Sequence, residues 1–123
     1  MEILHTEKAP AAIGPYSQAI EANGFVFTSG QLGMVPDTGE LAHNLSTQTV
    51  QALENLTAVL KSAGMTLSNV VKTTCYLQSM EDFSLFNEIY GQYFGEHKPA
   101  RSCFEVARLP KGALVEIEAV AVK

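Results

Sequence analysis

Two strand-like runs close the chain, and both carry charge inside otherwise apolar, β-prone sequence. The first reads Pro99-Ala-Arg-Ser-Cys-Phe-Glu-Val-Ala-Arg-Leu-Pro; after a break at Lys111-Gly112 the second reads Leu114-Val-Glu-Ile-Glu-Ala-Val-Ala-Val. Such residues suit a packed, pleated surface, where unpaired charge is costly. A sheet that accepts these strands must therefore pair Arg101, Glu116 and Glu118 or turn them toward a ligand. The strand period of two puts Arg101, Cys103 and Glu105 on one face of the first run and Glu116 and Glu118 together on one face of the second. The two runs are expected to be neighbours. From spacing alone, Arg101 reads equally as a surface ion pair with one of these glutamates or as a carboxylate clamp, since a planar guanidinium binds a carboxylate through two parallel hydrogen bonds.

Glu116 lies between Val115 and Ile117. If its face is covered, burial pushes its pKa upward, toward values useful for moving protons at neutral pH. Glu118 reads as a solvated strand glutamate. Cys103 reads as a small buried hydrophobe, because no histidine is placed beside it to activate the thiol. His5, His43 and His97 share no ligand spacing with each other or with the cysteines, so a metal site is not expected. His97, near a helix end, is expected to complement the helix dipole. Gly30-Gln-Leu-Gly33 lacks both the lysine and the spacing of a phosphate-cradling loop, which implies no nucleotide cofactor.

The chain has 123 residues and is 46% hydrophobic. That size fits a single domain, residues 1–123, burying roughly two thirds of the unfolded chain's surface. Met1-Glu-Ile-Leu-His-Thr-Glu-Lys has neither the basic start nor the apolar run of a secretion signal, and no apolar stretch approaches bilayer-spanning length. A cytoplasmic protein is expected. Cys75 and Cys103 each sit in a strand-like run and fit reduced, buried thiols. A net charge of −5 with no run of Lys or Arg argues against nucleic acid as a partner.

In chain order, Ala9 to Ala19 has prolines at 10 and 15 and reads as an ordered, extended loop. Ile20 to Ser29 reads as a hairpin turning at Asn23-Gly24, with its return strand ending at Ser29-Gly30-Gln31. Val35 to Glu40 is a turn. Val50, Leu53, Leu56, Leu60 and Ala63 then follow helical spacing, with Asn44 or Ser46 as the cap and Gly64 as the terminator, a helix of about four to five turns. Val70 to Leu77 is a central strand. Ser79 and Asp82 look like a capping pair for a second helix whose stripe of Phe83, Phe86, Tyr90 and Tyr93 lies on the sheet, ended by Gly95 and Pro99. This order predicts an α+β fold with two helices on one face of a mixed sheet. The other face, lacking cover of its own, is expected to be buried by closed cyclic association, with clefts between subunits.

Ala11-Ala-Ile-Gly-Pro-Tyr-Ser-Gln, Thr28-Ser-Gly-Gln, Val71-Lys-Thr-Thr, Pro99-Ala-Arg-Ser-Cys, Glu105-Val-Ala-Arg-Leu-Pro-Lys and Val115-Glu-Ile-Glu-Ala form a highly specific combination. Together they give a chain that resembles the reactive intermediate deaminase A (RidA, also YjgF or L-PSP) family along essentially its full length. The resemblance implies a chorismate-mutase-like homotrimer with three sites between subunits. It implies hydrolysis of short 2-imino acids, such as 2-iminopropanoate and 2-iminobutanoate, to 2-oxo acids and ammonia, downstream of pyridoxal-phosphate dehydratases and with neither cofactor nor metal. Carried over, it makes Arg101 the carboxylate clamp and Glu116 the residue that activates water. Cys103 contributes main-chain groups, Tyr16 lines the pocket from its loop, Ser29 and Gly30 stand beside it, and Asn87 faces the cleft. Between His97 and Pro99 there is only Lys98, fewer residues than in some relatives, which shortens the approach to Arg101. Two other readings accompany the family: an endoribonuclease or translation inhibitor, and a non-catalytic 2-oxo-acid-binding regulatory trimer.

Overall fold

Asn23 and Gly24 both adopt positive φ, 53° and 81°, the pairing that a two-residue hairpin turn of matching twist requires. In the computed structural model, which describes residues 1–123, they join β2 (Ala19–Ala22) to β3 (Phe25–Thr28), with Ala22 opposite Phe25. A short N-terminal strand, β1 (Glu2–Leu4), adds to β2 through the Ile3 and Ile20 pair. After a break at Ser29-Gly30, β4 (Gln31–Leu32) resumes pairing against the last strand, β7 (Val115–Val122). Thr28 Oγ1 bridges the break by accepting from the Ala119 N–H at 3.0 Å.

Helix α1 spans Leu45–Lys61, four to five turns as its spacing predicts. Asn44, not Ser46, is the cap: its side chain accepts from the Thr47 N–H at 2.9 Å while Thr47 Oγ1 accepts from the Asn44 N–H, an interaction worth about 1 kcal/mol. Gly64 ends it, the Met65 N–H reaching back to the Leu60 carbonyl. The buried stripe runs through Leu45, Thr49, Ala52, Leu53, Leu56, Val59 and Leu60. Val50, expected on that stripe, is instead rotated outward and exposed.

Strand β5 (Val70–Leu77) is interior, as its composition predicts, with β7 antiparallel on one side and β6 (Ala100–Glu105) parallel on the other. The two charged strands are thus not neighbours: β5 lies between them, because the crossover from β5 through α2 (Phe83–Phe94) returns the chain parallel to β5 at the sheet edge. The sheet order is β1-β2-β3-β7-β5-β6, with β4 continuing the β3 side of β7. Ser79 caps the turn before α2, accepting from the Glu81 N–H, and Glu105 accepts from the Met80 N–H; Asp82 makes no cap bond.

Both helices contribute to one apolar cluster, in which Leu53, Leu56, Leu60, Phe86, Tyr90 and Phe94 meet Val26, Val70, Cys75, Leu77, Val115 and Ile117 from the sheet. The architecture is a mixed α+β layer pair, helices on one face as expected. Alternate residues point the other way: Ile3, Ile20, Phe27, Val120 and Lys72 form one row across that open face, and Glu116, Tyr76 and Phe104 another. Ile3, Phe27 and Phe104 are respectively 65%, 48% and 46% exposed.

Candidate functional site

Arg101 sits on edge strand β6, opposite Thr73 of β5. Paired residues of neighbouring strands share a face, and Thr73 is fully buried beneath the helices, so Arg101 rises on the helix side. There Nη1 donates to Asn87 Oδ1 of α2 at 2.8 Å. The guanidinium carbon lies 4.8 Å from the Tyr90 ring centroid and 5.5 Å from that of Phe83. No carboxylate lies within ion-pair distance; the chain's one such contact joins Lys123 and Glu21. This removes the ion-pair reading left open by spacing, and the reason is topological: Glu116 and Glu118 belong to the opposite face. Arg101 and Asn87 line a cleft of about 390 Å³ with Tyr90, Phe94, Lys98 and Pro99.

Glu116 occupies the other face of β7, half-buried, across from Tyr76 on β5 and Leu32 on β4. Burial raises its pKa above the ordinary carboxylate range, and the neighbouring Glu118 charge adds to the rise. The strand break makes its room. A Cβ on Gly30 would lie 2.7 Å from Glu116 Cδ, so any larger residue there would push the carboxyl from its place. Ser29 Oγ donates to the Ser17 carbonyl at 2.6 Å and its N–H donates to the Gln18 carbonyl, tying the loop that carries Tyr16 to the break. Tyr16, Ser29, Gly30, Leu32, Lys111 and Glu116 share a cleft of about 500 Å³.

The expected site residues therefore fall into two groups within one chain. Tyr16, Ser29, Gly30 and Glu116 come together in one cleft and Arg101 with Asn87 in another, on opposite faces of the sheet. Cys103 lies in register beside Cys75, half-buried against the core, and both thiols are free. Burial raises the Cys103 pKa while Arg101 pulls the other way, which leaves the thiol protonated at neutral pH and suits the apolar reading. His97 binds the Val70 carbonyl through Nε2 at 2.6 Å; it anchors the segment before β6 to β5 rather than complementing a helix end. No three His, Cys, Asp or Glu side chains cluster in a way that could hold a metal.

Other contributors carry weaker sequence signals. Buried Gln18 organises the N-terminal loop, donating to the carbonyls of Thr6 and Pro10 and accepting from the Thr6 N–H at 2.7 Å. Asn55 donates to the carbonyls of Leu32 and Met34, and Gln48 accepts from the Leu114 N–H, so α1 holds both segments flanking the Glu116 cleft. Gln48 and Asn55 lie seven apart on the apolar stripe of α1, a spacing that marks polar groups turned inward. Lys111 has φ of 60°, and only its position between Pro110 and Gly112 hints at that turn.

A family profile described as Endoribonuclease L-PSP matches residues 6–123. A RutC family protein of Pyrococcus horikoshii is 53% identical over 99% of this chain and 98% of its own. The 2-iminobutanoate/2-iminopropanoate deaminase of Salmonella typhimurium is 48% identical over 98% of this chain and 96% of its own. Among solved structures, E. coli TdcF with bound serine superposes with a TM-score of 0.97 at 43% identity, covering 100% of this chain and 99% of that one. With the motifs, the sheet order and these matches in agreement, the chain belongs to the RidA (YjgF, L-PSP) family.

Proposed function

We propose that the protein hydrolyses short 2-imino acids, 2-iminobutanoate and 2-iminopropanoate among them, to 2-oxo acids and ammonia, and that it does so in the cytoplasm as a chorismate-mutase-like homotrimer. The observation that carries this reading is Arg101: a guanidinium braced by Asn87 and two aromatic rings yet paired with no carboxylate of its own chain. A charge held this way at a cleft fits a ligand carboxylate, the group every 2-imino acid carries. The family name of the Salmonella relative and the serine bound to E. coli TdcF support a ligand of amino-acid size.

Each site is built from two protomers. Arg101 and Asn87 of one chain face the cleft of Tyr16, Ser29, Gly30 and Glu116 on the next, and the exposed apolar rows of the open sheet face supply the contact. Arg101 orients the substrate through its carboxylate. Glu116, whose raised pKa makes it a stronger base than a solvated carboxylate, takes a proton from water as the oxygen attacks C2 of the imine. With the imine protonated on entry, the carbinolamine collapses: the proton held by Glu116 goes to nitrogen, the C–N bond breaks, ammonia leaves, and the hydroxyl proton passes back to Glu116 as C2 becomes the ketone. Edge strand β6 has one unpaired backbone side, from which the Cys103 main chain contacts the substrate. The imine carbon is already electrophilic, so orientation and one proton-transferring carboxylate suffice without a covalent intermediate.

The test is ammonia release from 2-iminobutanoate generated in situ by a dehydratase, with and without the purified protein. Acceleration supports the proposal. Binding of 2-oxobutanoate with no acceleration would indicate a regulatory trimer instead. The name endoribonuclease, carried by the family profile and by solved relatives, favours RNA as substrate, and the net charge of −5 opposes it. Salt-dependent RNA cleavage that survives Arg101→Ala would establish that reading.

A further inference from the structure

We propose that Tyr90, with Phe83, is a positioning residue that holds the Arg101 guanidinium ready for the substrate carboxylate. This inference rests on the carboxylate-clamp reading of Arg101. The apolar stripe of α2 is accounted for as core by Phe86, Ile89 and Phe94, all buried, but Tyr90 does more than fill space. Its ring lies under the guanidinium, 4.8 Å from centroid to Cζ, and Phe83 stands 5.5 Å away. Its hydroxyl shares a 2.7 Å hydrogen bond with Thr73 Oγ1, and Thr73 is the residue directly beside Arg101 in the β5–β6 register. The platform's height above the strand pair is thus fixed from the strand itself. Asn87, one turn earlier on the same helix, takes one edge of the guanidinium.

The arrangement confines a long, flexible side chain. An arginine free in solvent must lose rotamer freedom when it binds a ligand. Here the guanidinium rests against two aromatic rings and one edge is occupied, so the remaining N–H groups stay available for a bidentate contact. A guanidinium over a buried aromatic face gains attraction from the ring quadrupole without losing any of its donors. An aliphatic side chain at position 90 could fill the volume but could supply neither the attraction nor the Thr73 bond.

The experiment measures the affinity of the assembled protein for 2-oxobutanoate and for its uncharged amide by calorimetry, alongside KM and kcat for the imine. Tyr90→Leu should weaken 2-oxobutanoate binding about five- to thirtyfold, raise KM more than it lowers kcat, and leave amide affinity unchanged. Tyr90→Phe, which keeps the ring, should restore most of the lost affinity. Should Tyr90→Leu fail to fold, Phe83→Leu at the half-exposed flank reads the same effect at about two- to fivefold. Wild-type affinity in Tyr90→Leu, or equal loss for acid and amide, would overturn the proposal. If Arg101→Ala abolishes 2-oxobutanoate binding while Tyr90→Leu does not, only the platform is wrong; if Arg101→Ala binds like wild type, the clamp reading falls and the platform with it.

Discussion

Along β7, residues alternate between two environments. Val115, Ile117, Ala119 and Ala121 are buried in the core beneath the helices, whereas Glu116, Glu118, Val120 and Val122 on the opposite side keep partial exposure. The same division crosses β5, where Thr73, Cys75 and Leu77 face inward and Lys72, Thr74 and Tyr76 outward. On the covered side no buried side-chain nitrogen or oxygen lacks a hydrogen-bond partner. On the open side apolar rings stand in solvent beside a half-buried carboxylate. Arg101 belongs to the covered side and Glu116 to the open one, so the catalytic pairing proposed for them draws on two chains.

Substitutions on the two sides should break the comparison differently. Arg101→Ala should have the largest effect, lowering kcat/KM for 2-iminobutanoate about a thousandfold, while sedimentation remains that of the parent because no structural ion pair is lost. Glu116→Gln should lower kcat about a hundredfold with little change in 2-oxobutanoate affinity. It also carries a stability signature. A carboxyl whose pKa is raised by folding ionises more readily in the unfolded chain, so stability falls as pH rises from the ordinary carboxylate range through the raised value. Glu116→Gln should therefore melt higher than the parent at neutral pH, with the gap closing in acid, and the acid limb of the parent's kcat/KM should lie above the ordinary carboxylate range. Gly30→Ala should cost about tenfold in kcat, because the new methyl displaces the Glu116 carboxyl; wild-type turnover would show that the carboxyl position is unimportant. Cys103→Ser should have the smallest effect, within about threefold, since the thiol is neutral and packed. Near-complete loss would return a thiol to the chemistry.

Much of the covered side was legible in the sequence. The Asn23-Gly24 turn, the α1 stripe and the β-branched run of β5 each state a local preference that the fold keeps. Val50 misled because one apolar residue can fall on the helical period by chance while Thr49 and Gln48, polar in type, take the buried positions beside it. The placement of β5 between the charged strands was not legible, since pairing order is set by the crossover and not by either strand's own residues. That order decided the fate of the ion-pair reading. Spacing puts Arg101 on one face of its strand and the glutamates on one face of theirs; only the topology makes those faces opposite. The short strands β1 and β4 were similarly hidden, being too short for a periodic signal. Site roles came from motif resemblance, and the close approach of Gly30 to the Glu116 carboxyl emerges only in three dimensions.

The most direct test of the two-chain site is complementation. Arg101→Ala and Glu116→Gln proteins, each strongly impaired alone, are unfolded together in equal amounts, refolded into mixed assemblies and assayed for 2-iminobutanoate hydrolysis. A site that takes its arginine from one protomer and its glutamate from the next predicts recovery of about a quarter of wild-type activity on random mixing. Activity no higher than that of either variant alone, in assemblies verified to be mixed, would contradict the account.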